Sequence, residues 1–104
     1  MLCDDPSMIR NVVVGRLKDG VTPEEIEPGL QALRDLTVEG VEFRIVAGVD
    51  RGLRGGNASY ALTCDLVDDD AYRVYDADPE HNRIRQEMIA PFSALVERVQ
   101  FRLP

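Results

Sequence analysis

Hydrophobic and polar positions alternate first over residues 9–17, Ile-Arg-Asn-Val-Val-Val-Gly-Arg-Leu. The run is rich in β-branched residues and closes at Lys18-Asp19-Gly20, which predicts a strand ending in a turn. Ile9, Asn11, Val13, Gly15 and Leu17 share one face, and Arg10, Val12, Val14 and Arg16 the other. Both centres are apolar, so the strand is expected to be covered on both sides. Thr22-Pro23-Glu24-Glu25 then marks a helix start. Thr22 is placed to cap, Pro23 takes the first helical position where a missing N–H costs nothing, and Glu25 completes a capping box. Ile26, Leu30 and Leu33 follow at helical spacing, which extends the helix to about Leu36. Pro28 removes the bond to Glu24 and is expected to bend the helix and weaken its first half.

Residues 41–49 alternate with Val41, Phe43, Ile45, Ala47 and Val49 on one face, a second strand. A third is expected over 58–67, with Tyr60, Leu62, Cys64 and Leu66 together. Asp68-Asp69-Asp70 stands where a cap and first turn belong, favouring the positive end of a helix through Ala71-Tyr72-Arg73-Val74-Tyr75. Asp78, held out of helical geometry by Pro79, is placed to cap another helix from Pro79 to about Ala90, with Ile84 and Met88 as its apolar stripe. Val99, Phe101 and Leu103 alternate with Arg98, Gln100 and Arg102 in a last strand over 96–103. The order predicts an α+β, ferredoxin-like β-α-β-β-α-β fold, a four-stranded antiparallel sheet with helices on one face. Val12, Val14, Val46 and Val67 oppose the faces named above, leaving the helix-free side apolar. A second copy of the chain is the simplest cover for it, so a homodimer through that face is expected.

Length and charge narrow the picture. With 104 residues there is one core and no second; residues 8–104 form a single domain, after a flexible extension over 1–7. Nineteen acidic against twelve basic residues, a net charge of -7, argue against a nucleic-acid partner, which would require a basic stripe. No stretch reaches the roughly 18 apolar residues of a membrane span, and the acidic N-terminus is unlike a signal peptide, so no membrane is involved and a cytoplasmic location is expected. Cys3 and Cys64 lack zinc-ligand spacing; Cys64 reads as a small buried hydrophobe and Cys3 as part of a fraying tail.

Candidate chemistry centres on Tyr75 and His81, a phenol and the chain's single imidazole placed six positions apart across the Asp78-Pro79 turn. The alternative is a half-buried packing tyrosine and a solvated histidine in a first helical turn. No metal or cofactor is expected: the three aspartates read as a cap, and the glycine-rich stretch 50–57 lacks the Lys-Ser/Thr of a phosphate loop.

Met8-Ile9-Arg10-Asn11-Val12-Val13, Leu17-Lys18-Asp19-Gly20-Val21-Thr22-Pro23-Glu24-Glu25, Val67-Asp68-Asp69-Asp70-Ala71-Tyr72 and Tyr75-Asp76-Ala77-Asp78-Pro79-Glu80-His81, in this order and spacing, resemble the stress-responsive dimeric α/β-barrel (Dabb) family. The resemblance spans residues 8–101. It implies a ferredoxin-like fold and a homodimer packed sheet to sheet, enclosing a cavity for a small apolar or carbonyl-containing ligand. Most members have no defined activity. Plant olivetolic acid cyclase, a distant member, closes a linear polyketide by an aldol reaction with a pocket tyrosine and histidine, which match Tyr75 and His81. By that likeness His81 would remove an acidic proton and Tyr75 would donate to the enolate oxygen. Asn11 and Asp78 stand where the family often has histidines, and Gly15 where an aromatic residue is common; the resemblance makes these three ligand-pocket positions, with Gly15 opening the cavity. The competing readings are a non-catalytic structural or interaction module and, from other ferredoxin-like dimers, monooxygenase or haem-linked chemistry.

Overall fold

The computed structural model describes residues 7–104. Strand β1 (Ile9–Leu17) leads into helix α1 (Pro23–Arg34), then strands β2 (Phe43–Val49) and β3 (Tyr60–Leu66). Helix α2 (Asp69–Ala77) and helix α3 (Pro79–Ile84) follow, and β4 (Ser93–Arg102) closes the chain. The strands lie in the order β2-β3-β1-β4 with every neighbouring pair antiparallel, which is the ferredoxin-like arrangement. The expected flexible extension and Cys3 lie outside the described residues apart from Ser7, whose Oγ donates to the Val67 carbonyl at 2.8 Å.

Local sequence accounts for most of these boundaries. The Glu25 carboxylate accepts from the Thr22 N–H at 3.3 Å at the start of α1, and Asp68 accepts from the Ala71 N–H at 2.8 Å at the start of α2. Ile26, Leu30 and Leu33 point α1 into the core beside Leu62, Cys64 and Leu66 of β3, all buried. Each such leucine or isoleucine contributes about 1.5–3 kcal/mol. Arg34 ties the end of α1 to β2 through the Ala47 carbonyl at 2.9 Å. The loop between β2 and β3 is closed by Asp50, which accepts from the Gly52 N–H at 2.9 Å and the Asn57 side chain at 3.0 Å.

Four expectations need correction. Helix α1 keeps α geometry through Pro28 and stops at Arg34 rather than near Leu36; Pro28 and Glu24 are exposed, which leaves the carbonyl that proline cannot serve open to water. Strand β2 begins at Phe43, because Val41 pairs instead with Val38 in a tight turn. Strand β3 is trimmed to Tyr60–Leu66, which places Val67 beyond its end. The helix expected from Pro79 to Ala90 keeps α geometry only to Ile84, then turns π-helical over Arg85–Ile89 and 3₁₀ over Ala90–Phe92. The wider π turn moves the buried position after Ile84 from Met88 to Ile89. Gly29 of α1 receives that turn: a Cβ there would lie 2.7 Å from both the Met88 carbonyl and Ile89 Cδ1.

The helices cover one face of the sheet. The other exposes Val14, Val46, Leu95, Val99 and Phe101, with Arg10 and Asp65 joined across β1 and β3 by a two-pronged ion pair at 2.7 and 2.9 Å. Among the described residues no helix is long and apolar enough to cross a membrane.

Candidate functional site: a cavity beneath α2 and α3

β4 is the sheet edge that the helices cover least, and a cavity of about 210 Å³ opens there between β1, β4 and the segment from α2 to the π turn. Asn11, Tyr60, Tyr72, Tyr75, His81, Arg85 and Arg98 are its polar lining residues, and Val13, Leu33, Leu62, Ile89 and Val96 form most of its apolar wall. Ala90 and Arg98 are exposed and mark the mouth.

His81 reaches this cavity because Asp78 turns the chain. The Asp78 carboxylate accepts from the His81 N–H at 2.9 Å, capping α3 and fixing its first turn. The imidazole is only 4% exposed, and its Nδ1 lies 2.8 Å from the Tyr75 carbonyl. A carbonyl can only accept, so Nδ1 carries the proton and Nε2 is the basic atom of the neutral ring. Burial lowers the His81 pKa from its ordinary 6.5, with the Tyr75 carbonyl opposing in part. The ring is therefore neutral at pH 7.

The Tyr75 ring packs against that imidazole with centroids 4.1 Å apart and planes at 37°, and against Phe43 at 5.1 Å. Burial drives the Tyr75 pKa far above its ordinary value, reinforced by the Cys64 thiol, so the phenol stays protonated. Burial likewise holds Cys64 as a thiol, pushed up to about 12. Tyr75 and His81 thus meet ring against ring on the wall of one cavity.

Asn11 is buried on the cavity wall, and its Oδ1 accepts from Gln100 Nε2 at 2.7 Å across the β1–β4 pair. With that oxygen engaged, the Asn11 amide N–H₂ is the side's remaining donor. Gly15 does not open the cavity. The Tyr60 ring fills the space beside it, so that a Cβ on Gly15 would lie 2.0 Å from Tyr60 Cζ. Asp78 is spent on capping and does not line the cavity either. Among the expected positions, then, the cavity gathers Asn11, Tyr75 and His81.

Sequence reasoning missed Tyr60, Tyr72, Arg85, Arg98 and Gln100. Ser93 Oγ donates to the Ile89 carbonyl at 2.8 Å, so the Tyr60 hydroxyl, 2.8 Å from Ser93, must donate to that oxygen in turn. Arg85 is held by the Asp76 carboxylate at 2.8 Å, the Asp76 carbonyl at 2.6 Å and the Asn82 side chain. The signal for Arg98 and Gln100 was present in the alternation of the last strand, but its facing depended on pairing with β1.

Known proteins share this architecture. A dimeric ferredoxin-like protein of unknown function from Thermobifida fusca is 34% identical, with 92% of this chain and 91% of that one aligned at a TM-score of 0.81. A Dabb-family protein from Mesorhizobium loti, 20% identical, covers 93% of this chain and 96% of its own at a TM-score of 0.67. A hydroxynitrile lyase from Passiflora edulis, 14% identical, covers 96% of each chain at 0.72. No protein-family model and no curated protein matches the chain.

Proposed function

Because the chain belongs to the family of dimeric ferredoxin-like, α/β-barrel proteins, we propose that it works as a homodimer that binds a small, largely apolar carbonyl compound in the cavity beneath α2 and α3. The observation that carries this reading is the buried His81 ring, fixed through Nδ1 and lining an apolar cavity. A basic Nε2 in that setting is a general base for a proton next to a carbonyl. The Asn11 N–H₂ is a donor for the carbonyl oxygen, alongside the protonated phenol of Tyr75, to which the resemblance assigns that role and which lines the same cavity.

Size limits the ligand. A cavity of about 150 Å³ holds a benzene ring, so about 210 Å³ admits one ring with short substituents. Pockets for drug-sized ligands measure about 300–1,000 Å³. A full linear polyketide would extend past the open mouth of this cavity, whereas proton abstraction or carbon–carbon cleavage on a single-ring carbonyl fits within it.

Small aryl ketones incubated with the protein in D₂O provide the test, followed by NMR for binding shifts and for deuterium entering the α-position. Binding with exchange that His81→Ala abolishes supports the whole reading. Binding without exchange leaves a ligand-binding module and removes the proton transfer. No shift at any cavity residue removes the site.

A further inference from the structure

The cavity's charges run against those of the chain. Nineteen acidic residues outnumber twelve basic ones, yet two arginines and no aspartate or glutamate line this cavity. Arg85 is neutralised by Asp76. Among the described residues, Arg98 enters none of the ion pairs that engage Arg10, Arg34, Arg73, Arg83 and Arg85. Pairing with Val13 turns Arg98 toward the helix side of β4, at the mouth of an apolar pocket, while Val99 and Phe101 face away.

We infer that the ligand of this cavity carries a carboxylate, which Arg98 receives at the mouth while the ligand's apolar body enters toward His81. The inference rests on the proposed ligand site and adds the charge class of its occupant. A guanidinium offers a planar, two-pronged donor matched to a carboxylate, and an apolar wall behind it reduces competition from water. The field of Arg98 also reaches Tyr60 and Tyr72, whose pKa values it lowers against the dominant effect of burial. An arylcarboxylate or a short unsaturated keto acid combines the required volume and charge. A dianionic phosphate is a poorer match, since one free arginine leaves most of its oxygens unserved.

Benzoate and its neutral analogue benzamide, titrated into the full-length protein by NMR at low ionic strength, separate the two levels of the argument. Benzoate is expected to bind about tenfold more tightly, with shifts at His81 and Tyr72. Arg98→Gln is expected to erase that preference, so that benzoate and benzamide bind this variant equally, while Arg98→Lys retains part of it. Equal binding of the two probes, or a preference that survives Arg98→Gln, would overturn the carboxylate assignment and leave the cavity reading intact. Failure of both probes to bind overturns the cavity reading and this inference together.

Discussion

On the helix-covered face, β1 and β4 contribute Asn11, Arg98 and Gln100, whereas on the open face the same strands contribute Val12, Val14, Val99 and Phe101. Farther along the sheet the arrangement is the ordinary one, with Leu62, Cys64 and Leu66 of β3 buried under α1. The contrast separates two uses of apolar surface. Beneath α1 it closes the core of one chain. On the open face it stays uncovered in the single chain, and where the helices part over β4 the inward positions turn polar around a cavity.

The contrast breaks most visibly on the open face. Val14→Asp together with Val99→Asp would set charges on the apolar open face, the proposed dimer surface, and is expected to weaken association by several kcal/mol. Sedimentation should then show monomer; a persisting dimer would place the interface elsewhere. The matched change beneath α1, Leu66→Ala, is expected to cost about 2–5 kcal/mol in urea unfolding without altering the oligomeric state's geometry. Gly15→Ala sharpens the comparison at the cavity edge. Its Cβ displaces the Tyr60 ring and its bond to Ser93, a cost of about 1–3 kcal/mol. A neutral result in thermal melts would mean that Tyr60 repacks freely. Asp78→Ala removes the α3 cap and is expected to cost about 1 kcal/mol.

The smallest effect is on pH. The folded-state pKa of His81 lies below its ordinary 6.5, so below that value the unfolded chain binds the proton first. Stability should therefore fall as pH drops from 6.5 toward the folded pKa and be unaffected by His81 above 6.5. Urea midpoints at pH 5 and 7.5 for the wild type and His81→Gln measure the difference, which should shrink in the variant.

Much of the fold was legible because its signals are local. Thr22-Pro23-Glu24-Glu25 and Asp68 fix helix starts, and strict alternation marks Tyr60, Leu62, Cys64 and Leu66 as one face. The π turn was not legible, since Ile84 and Met88 at i and i+4 read as an ordinary helix, while Gly29 makes room for Ile89 from a distant part of the chain. Gly15 misled for the same reason: an absent side chain suggests space until a neighbouring strand's tyrosine is seen to fill it. Tyr75 and His81 were legible as neighbours across a proline turn. Their ring-to-ring contact, and the choice of Nδ1 as the protonated nitrogen, depend on backbone carbonyl placement that no residue pattern encodes.

The most direct measurement is the ¹⁵N spectrum of the imidazole. The chain has one histidine and thus a single pair of ring nitrogens. At pH 7 the account predicts a protonated Nδ1 and an unprotonated Nε2, with Nε2 moving on addition of benzoate or an aryl ketone while Nδ1 stays in place. A protonated Nε2, or a ring whose nitrogens ignore every ligand that fits the cavity, would contradict it.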